Sequence, residues 1–172
     1  MRKFSVRDLT LAAMVAALYA VMSYFGNIFG MTYFGIQFRF AEALTVLPFL
    51  FPATAPGLFV GCFIANILSP FGALDIVFGS LATLLAAFLT MKMPNRWLAP
   101  LPPVLCNGLI VGALIAFSSA QAGESFWAAF ALNGVNVALG ELGACYVLGM
   151  ILLVALPKIP YFREQISNKH LA

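Results

Sequence analysis

Three carboxylates, one arginine and three asparagines fall inside otherwise apolar stretches of this chain: Glu42, Asp75 and Glu141, with Arg39, Asn66, Asn133 and Asn136. An ionisable side chain in such a setting costs about 2.5 to 3.5 kcal/mol to insert into a bilayer, so each is a functional candidate by default. Carboxylates accept paired N–H donors or face a cation, asparagine offers a donor and an acceptor, and the rings of Tyr33, Phe34, Phe38 and Trp127 can cover a flat ring. A small, planar, donor-rich heterocycle, with or without a positive charge, suits that set. A fatty acid or a metal cluster suits it poorly.

Plainer readings stand beside this one. Arg39 and Glu42 are spaced i, i+3 and can neutralise each other, and Asp75 can cap a helix after the Pro70–Gly72 turn. Glu141, between Gly140 and Gly143, has no basic residue within a helical turn and needs a partner from elsewhere in the fold or a ligand. Asn107 reads as an interhelical hydrogen bond. Cys62, Cys106 and Cys145 stand singly as small packing residues, and the one histidine, His170, lies in the C-terminal tail, so no zinc site and no cofactor is expected. There is no G-x-x-x-x-G-K-[ST] loop and no G-x-S-x-G elbow, nor an obvious inverted repeat of broken helices. Binding without a built-in engine is the reading left.

The elements that must position these groups follow from composition. The 172 residues are 63% hydrophobic and 9% charged, with a mean hydropathy of +1.00. Soluble domains carry about 25% charged residues, so the chain reads as an integral membrane protein. One membrane domain over 1–172 leaves no room for a nucleotide-driven or nucleic-acid-binding module. Apolar runs at Leu9 to Phe25, Gln37 to Phe51, Pro56 to Leu68, Leu74 to Met91, Leu101 to Phe117 and Val135 to Leu156 predict an all-α bundle of six transmembrane helices. The segment from Ser118 to Gly134 reads as a long loop with some helix around Trp127. With both termini cytoplasmic, eight of the nine basic residues, Arg2, Lys3, Arg7, Lys92, Arg96, Lys158, Arg163 and Lys169, lie inside and Arg39 alone does not. That topology gathers Gln37, Arg39, Glu42, Asn66, Asp75, Asn133, Asn136 and Glu141 in the outer leaflet. On the first helix, Ala12, Ala16 and Ala20 form a small-residue row with Ala13 and Ala17 beside it, suited to close approach of another helix, within the chain or outside it.

The run Ile36-Gln37-Phe38-Arg39-Phe40-Ala41-Glu42-Ala43-Leu44-Thr45-Val46-Leu47-Pro48-Phe49, followed by Gly57 to Asn66, resembles the QueT family of substrate-binding S components of energy-coupling factor (ECF) transporters. Asp75 to Leu84 and Gly140-Glu141-Leu142-Gly143, with Tyr146 to Gly149, are similar as well. The resemblance covers nearly the whole chain, and R-x-x-E-A-L-T-x-L-P is its most specific part. It implies a six-helix S component in the bacterial plasma membrane that captures a queuosine precursor, prequeuosine-1 (an aminomethyl deazaguanine), from outside. It also implies a membrane coupling subunit, EcfT, two cytoplasmic ATPase subunits, contact of Ala13-x-x-x-Ala17 and its neighbours with EcfT, and toppling of the S component to release substrate inside. For such a ligand, Glu141 or Glu42 would take the guanine-like edge, and Asp75 or the remaining glutamate the ammonium. Asn66, Asn133 and Asn136 would complete the hydrogen bonds, and Trp127 or Tyr33 would cover the ring. The alternatives are an S component for another small heterocyclic vitamin, a self-sufficient channel or proton-coupled carrier using Glu42, Asp75 and Glu141 as a relay, and, least favoured, a small membrane enzyme.

Overall fold

A computed structural model describes residues 5–29 and 38–166. Tyr33, Phe34 and Gln37 lie outside the described residues, as do Arg2, Lys3, Lys169 and His170. Among the described residues there are helices and no strands. They are α1 (Val6–Ile28), α2 (Phe40–Phe49), α3 (Ala55–Asn66), α4 (Asp75–Thr90), α5 (Leu101–Gln121), α6 (Phe126–Lys158) and the single turn α7 (Pro160–Arg163). Three of these, α1, α5 and α6, are long and apolar enough to cross a membrane; α2 and α4 are shorter apolar helices. Ser5 opens α1 with a capping box: its hydroxyl accepts from the Asp8 amide at 3.2 Å, and the Asp8 carboxylate accepts from the Ser5 amide at 3.0 Å.

Small residues set how closely the helices approach. A Cβ on Gly57 of α3 would overlap the Ala12 carbonyl oxygen, and one on Gly61 would stand 2.8 Å from both the Ala16 carbonyl oxygen and the Tyr19 Cβ. Ala12, Ala16 and Ala20 are accordingly buried, whereas Ala13 and Ala17 are exposed. This corrects the expectation that both alanine rows serve a partner. The Ala12 row is used inside the chain, on a Gly-x-x-x-Gly face of α3, and only the Ala13 and Ala17 row remains on the surface.

The anticipated loop from Ser118 to Gly134 is mostly helix. Helix α5 continues to Gln121, α6 begins at Phe126, and residues 122–125 make the turn, with Gly123 at φ +94°. The polar residues that gave the segment its loop-like composition bond to their own helix backbone: Ser118 Oγ donates to the Leu114 carbonyl at 3.3 Å and Asn133 Nδ2 to that of Ala129 at 2.8 Å. Close packing then holds the two helices together, since a Cβ on Gly112 would come within 2.6 Å of the Gly134 Cα.

Helix α2 is a ten-residue 3-10 helix. With three residues per turn its side chains stack in rows at i, i+3, and each row meets different surroundings. Ala41, Leu44 and Leu47 join one apolar cluster with Val15, Tyr19 and Leu58; Val46 and Phe49 join another with Cys145 and Leu153. The third row carries Glu42 and Thr45, both buried. The 2.0 Å rise also lets ten residues cover about 20 Å, where an α-helix would cover about 15 Å.

The second apolar cluster, with Leu11, Phe51, Met93, Ala99, Phe162 and Ile166, gathers the start of α1, the α2–α3 junction, the α4–α5 connection and α7 at one end of the bundle. Near that end are the described basic residues other than Arg39, namely Arg7, Lys92, Arg96, Lys158 and Arg163, all exposed. The Arg7 guanidinium stands 4.9 Å from the centre of the Tyr161 ring.

The glycine face of α3 gives a direct test. Gly57→Leu and Gly61→Leu force α1 and α3 apart and are expected to lower the unfolding temperature of the detergent-purified protein by 10 °C or more, on the order of 2 to 4 kcal/mol of overpacking. Ala13→Leu and Ala17→Leu, on the exposed face, are expected to leave it within about 2 °C.

Candidate functional site

Six helices contribute to one buried polar centre. Arg39 precedes α2, Glu42 and Thr45 lie on it, Asn66 ends α3, Asp75 opens α4, Asn107 lies on α5, and Glu141 and Cys145 lie on α6. Tyr19 approaches from α1. All of these side chains are buried, Asp75 and Tyr19 completely. The backbone is irregular at the same places: α4 begins with a π-helical turn over Asp75–Gly79, and α6 changes to π-helix over Gly143–Gly149, directly after Glu141. Such turns recur at functional sites because they redirect side chains that a regular helix would space differently. Gly79 belongs to the arrangement, since a Cβ there would collide with the Asp75 carboxylate and stand 2.8 Å from Asn66 Nδ2.

Arg39 sits between two carboxylates on different elements. Its Nη1 is 4.0 Å from Glu42 Oε1 and its Nη2 is 3.7 Å from Asp75 Oδ2. The plainer reading of Arg39 and Glu42 as a local pair is therefore incomplete, because the guanidinium also reaches α4. Asp75 does not cap its helix through its side chain: Oδ2 accepts from Ser69 Oγ at 2.5 Å, and Asn66 Nδ2 donates to the Asp75 backbone carbonyl at 3.0 Å.

The second half of the centre joins Glu42 to Glu141. The Tyr19 hydroxyl donates to Glu42 Oε1. Asn107 Nδ2 is shared between Glu141 Oε1 at 2.8 Å and Glu42 Oε2 at 3.5 Å. Cys145 Sγ lies 3.5 Å from Glu141 Oε2, and it shares the Glu42 carbonyl with Thr45 Oγ1, at 3.3 and 2.6 Å. Fully ionised, three carboxylates and one guanidinium leave this centre at −2, and the other described basic residues are exposed elsewhere. A buried excess of negative charge is costly unless a proton or a cation offsets it. The centre therefore needs a proton, a cation or further donors to offset its charge.

Of the residues singled out from sequence, Arg39, Glu42, Asn66, Asp75 and Glu141 come together. Asn133 and Asn136 are half-buried and lie about 12 and 8 Å further up α6 than Glu141 at 1.5 Å per residue. Asn133 spends its amide on its own helix. Trp127 is 75% exposed and packs edge-to-face on Phe126, so it does not cover this centre. A described ring that does come close is Phe38, which lies against Gly143, two residues after Glu141. Sequence reading left out Tyr19 and Ser69 and gave Cys145 and Asn107 only structural roles. Tyr19 carried a usable signal, a phenol three residues after Ala16 on the face that packs inward.

A helical bundle with three membrane-length apolar helices around a buried, carboxylate-rich centre has the build of a multi-pass membrane protein. The family model described as QueT transporter matches residues 9–158, and the chain belongs to the QueT transporter family. It is also similar to the protein named queuosine precursor transporter QueT of Lactococcus lactis subsp. cremoris (strain MG1363), with 32% identity over 97 residues. That alignment takes in 56% of this chain and 57% of the relative's length. No solved structure matches the chain.

Tyr19→Phe leaves Glu42 Oε1 short of a donor where water does not reach, and is expected to cost about 1 to 3 kcal/mol of stability. Tyr24→Phe is the control: its hydroxyl donates to the Ile64 carbonyl at 2.9 Å at a more open site, and its loss is expected to cost under about 1 kcal/mol. Denaturant titration of both variants in one detergent measures the difference.

Proposed function

We propose that this chain is the substrate-binding S component of an ECF-type importer and captures a queuosine precursor, prequeuosine-1, from the outer side of the bacterial plasma membrane. In this reading it spans the membrane six times with both termini cytoplasmic, and Arg7, Lys92, Arg96, Lys158 and Arg163 mark the inner face. ATP hydrolysis belongs to two cytoplasmic ATPase subunits, joined through the coupling subunit EcfT. The exposed Ala13 and Ala17 row of α1 is the surface left for that subunit.

The observation that carries the reading is the charge imbalance of the buried centre: Glu42, Asp75 and Glu141 are set against Arg39 alone. Prequeuosine-1 has the matching chemistry, a cationic aminomethyl group on a deazaguanine whose N–H edge a carboxylate takes bidentately. The name carried by the Lactococcus relative supports the substrate class. Glu141, which has no ion-pair partner among the described residues, takes the guanine-like edge, and Asp75 takes the ammonium. Phe38, and Tyr33 from outside the described residues, are the rings available to cover the heterocycle. Asn133, Asn136 and Trp127 belong to the approach from the outer side.

Isothermal titration of the purified protein with prequeuosine-1 is expected to give saturable binding. Glu141→Gln should weaken it at least about a hundredfold, since it removes a charge-assisted contact from a desolvated site, and Glu42→Gln, which removes a charge that holds Arg39 and Asn107, should weaken it at least about tenfold. Wild-type affinity in both variants rejects carboxylate recognition. A thermal shift with riboflavin, thiamine or biotin, and none with prequeuosine-1, moves the assignment to another vitamin. Flux through liposomes holding this chain alone replaces the S component with a self-sufficient carrier.

A further inference from the structure

Three buried acceptor oxygens of the polar centre have no hydrogen-bond partner among the described residues: Asn66 Oδ1, Asp75 Oδ1 and Asn107 Oδ1. Buried polar atoms are paired in the great majority of cases, so each one left open needs an explanation. Covalent geometry fixes their surroundings. Asn107 Oδ1 shares its amide with the Nδ2 that donates to Glu141 and Glu42, so it lies beside those two carboxylates. Asp75 Oδ1 shares its carboxyl with the oxygen held by Ser69 and Arg39, and Asn66 Oδ1 shares its amide with the nitrogen that donates to the Asp75 backbone.

Asn107 cannot rotate to satisfy itself. Turning its amide over would aim the oxygen at two carboxylates, acceptor against acceptor, and would lose both Nδ2 contacts. Glu42 and Glu141 therefore fix the direction of this amide, and its carbonyl is held as an acceptor at the edge of the carboxylate pair. A residue that holds two binding carboxylates in place and keeps a third acceptor open beside them has the form of a recognition group.

We propose that Asn107 is a specificity-determining residue of the binding site, its Oδ1 accepting one N–H of the substrate's exocyclic amino group while the adjacent Glu141 carboxylate takes the other amino hydrogen and the ring N–H. The proposal rests on the substrate reading above and deepens it. The guanine-like edge offers three N–H donors, and Glu141 with Asn107 offers three acceptors. Asp75 Oδ1 and Asn66 Oδ1 are the remaining open acceptors and receive the ammonium. A purine-like ligand with a carbonyl in place of the amino group would face Asn107 Oδ1 with a second acceptor and be rejected, which gives the site selectivity by repulsion as well as by attraction.

The test compares prequeuosine-1 with its analogue lacking the exocyclic amino group, by titration against wild type, Asn107→Leu and Asn107→Ala. A site built to hydrogen-bond an N–H group discriminates strongly against the analogue without it, so wild type is expected to prefer prequeuosine-1 by at least about a hundredfold. In Asn107→Leu, close in size but without the acceptor, and in Asn107→Ala, which removes the amide altogether, the preference is expected to fall at least about tenfold. A role limited to bracing the helices weakens both ligands equally and leaves the ratio unchanged; that result in either folded variant overturns the proposal. Failure of wild type to bind prequeuosine-1 is a separate outcome, which overturns the substrate reading and this assignment together.

Discussion

Among the described residues Arg39 is the one buried basic side chain, set among three carboxylates, and the helices are arranged around what it can and cannot neutralise. It reaches Glu42 one turn along its own segment and Asp75 on α4, and so ties α2 to the start of α4. Removing it would leave two acidic groups buried without a counter-charge, a change of the kind that costs several kcal/mol. Glu141 lies beyond its ion-pair distance and is held by the neutral groups Asn107 and Cys145. The centre therefore has a half in which charge is balanced between neighbours and a half in which hydrogen bonds hold a carboxylate ready.

Regular helices place side chains at fixed angles, and this site is assembled where regularity is given up. Helix α2 is 3-10 throughout, α4 opens on a π-turn at Asp75, and α6 widens to π-helix just beyond Glu141. The regular parts do the opposite job. α1 against α3 and α5 against α6 are close-packed through glycine and alanine, with contacts that leave no space for a Cβ on Gly57, Gly61 or Gly112. Tight pairs on either side let the irregular segments between them hold polar groups without collapsing onto one another.

Much of this was legible in the sequence because charge is scarce in it. In so apolar a chain, Arg39, Glu42, Asp75 and Glu141 are conspicuous, and the structure brings these four together. Asn133, Asn136 and Trp127 were harder to place, because their distance from Glu141 depends on α6 being one continuous helix, and their local composition resembles a loop. Small polar residues that bond back to their own helix carry no mark of it in the sequence. Asn107 and Tyr19 escaped for a different reason: an amide or a phenol in an apolar run is common, and only the fold shows that both face carboxylates from other helices. The Ala12 and Ala13 rows read alike, and which of them is covered depends on where Gly57 and Gly61 fall.

The threefold rows of α2 have one more consequence. A helix with three residues per turn is a three-sided prism, and here two sides face separate apolar clusters while the third faces the polar centre. Moving the sequence by one residue turns the prism by about 120°, so a single-residue insertion or deletion at its start would carry a whole apolar row into the carboxylates and bury Glu42 and Thr45 in hydrocarbon. In an α-helix the same slip is about 100° and is partly absorbed by the breadth of the apolar face. α2 has no such tolerance: its register is a discrete setting of the molecule, and the reading frame of those ten residues constrains the site as strictly as the identity of any residue in it.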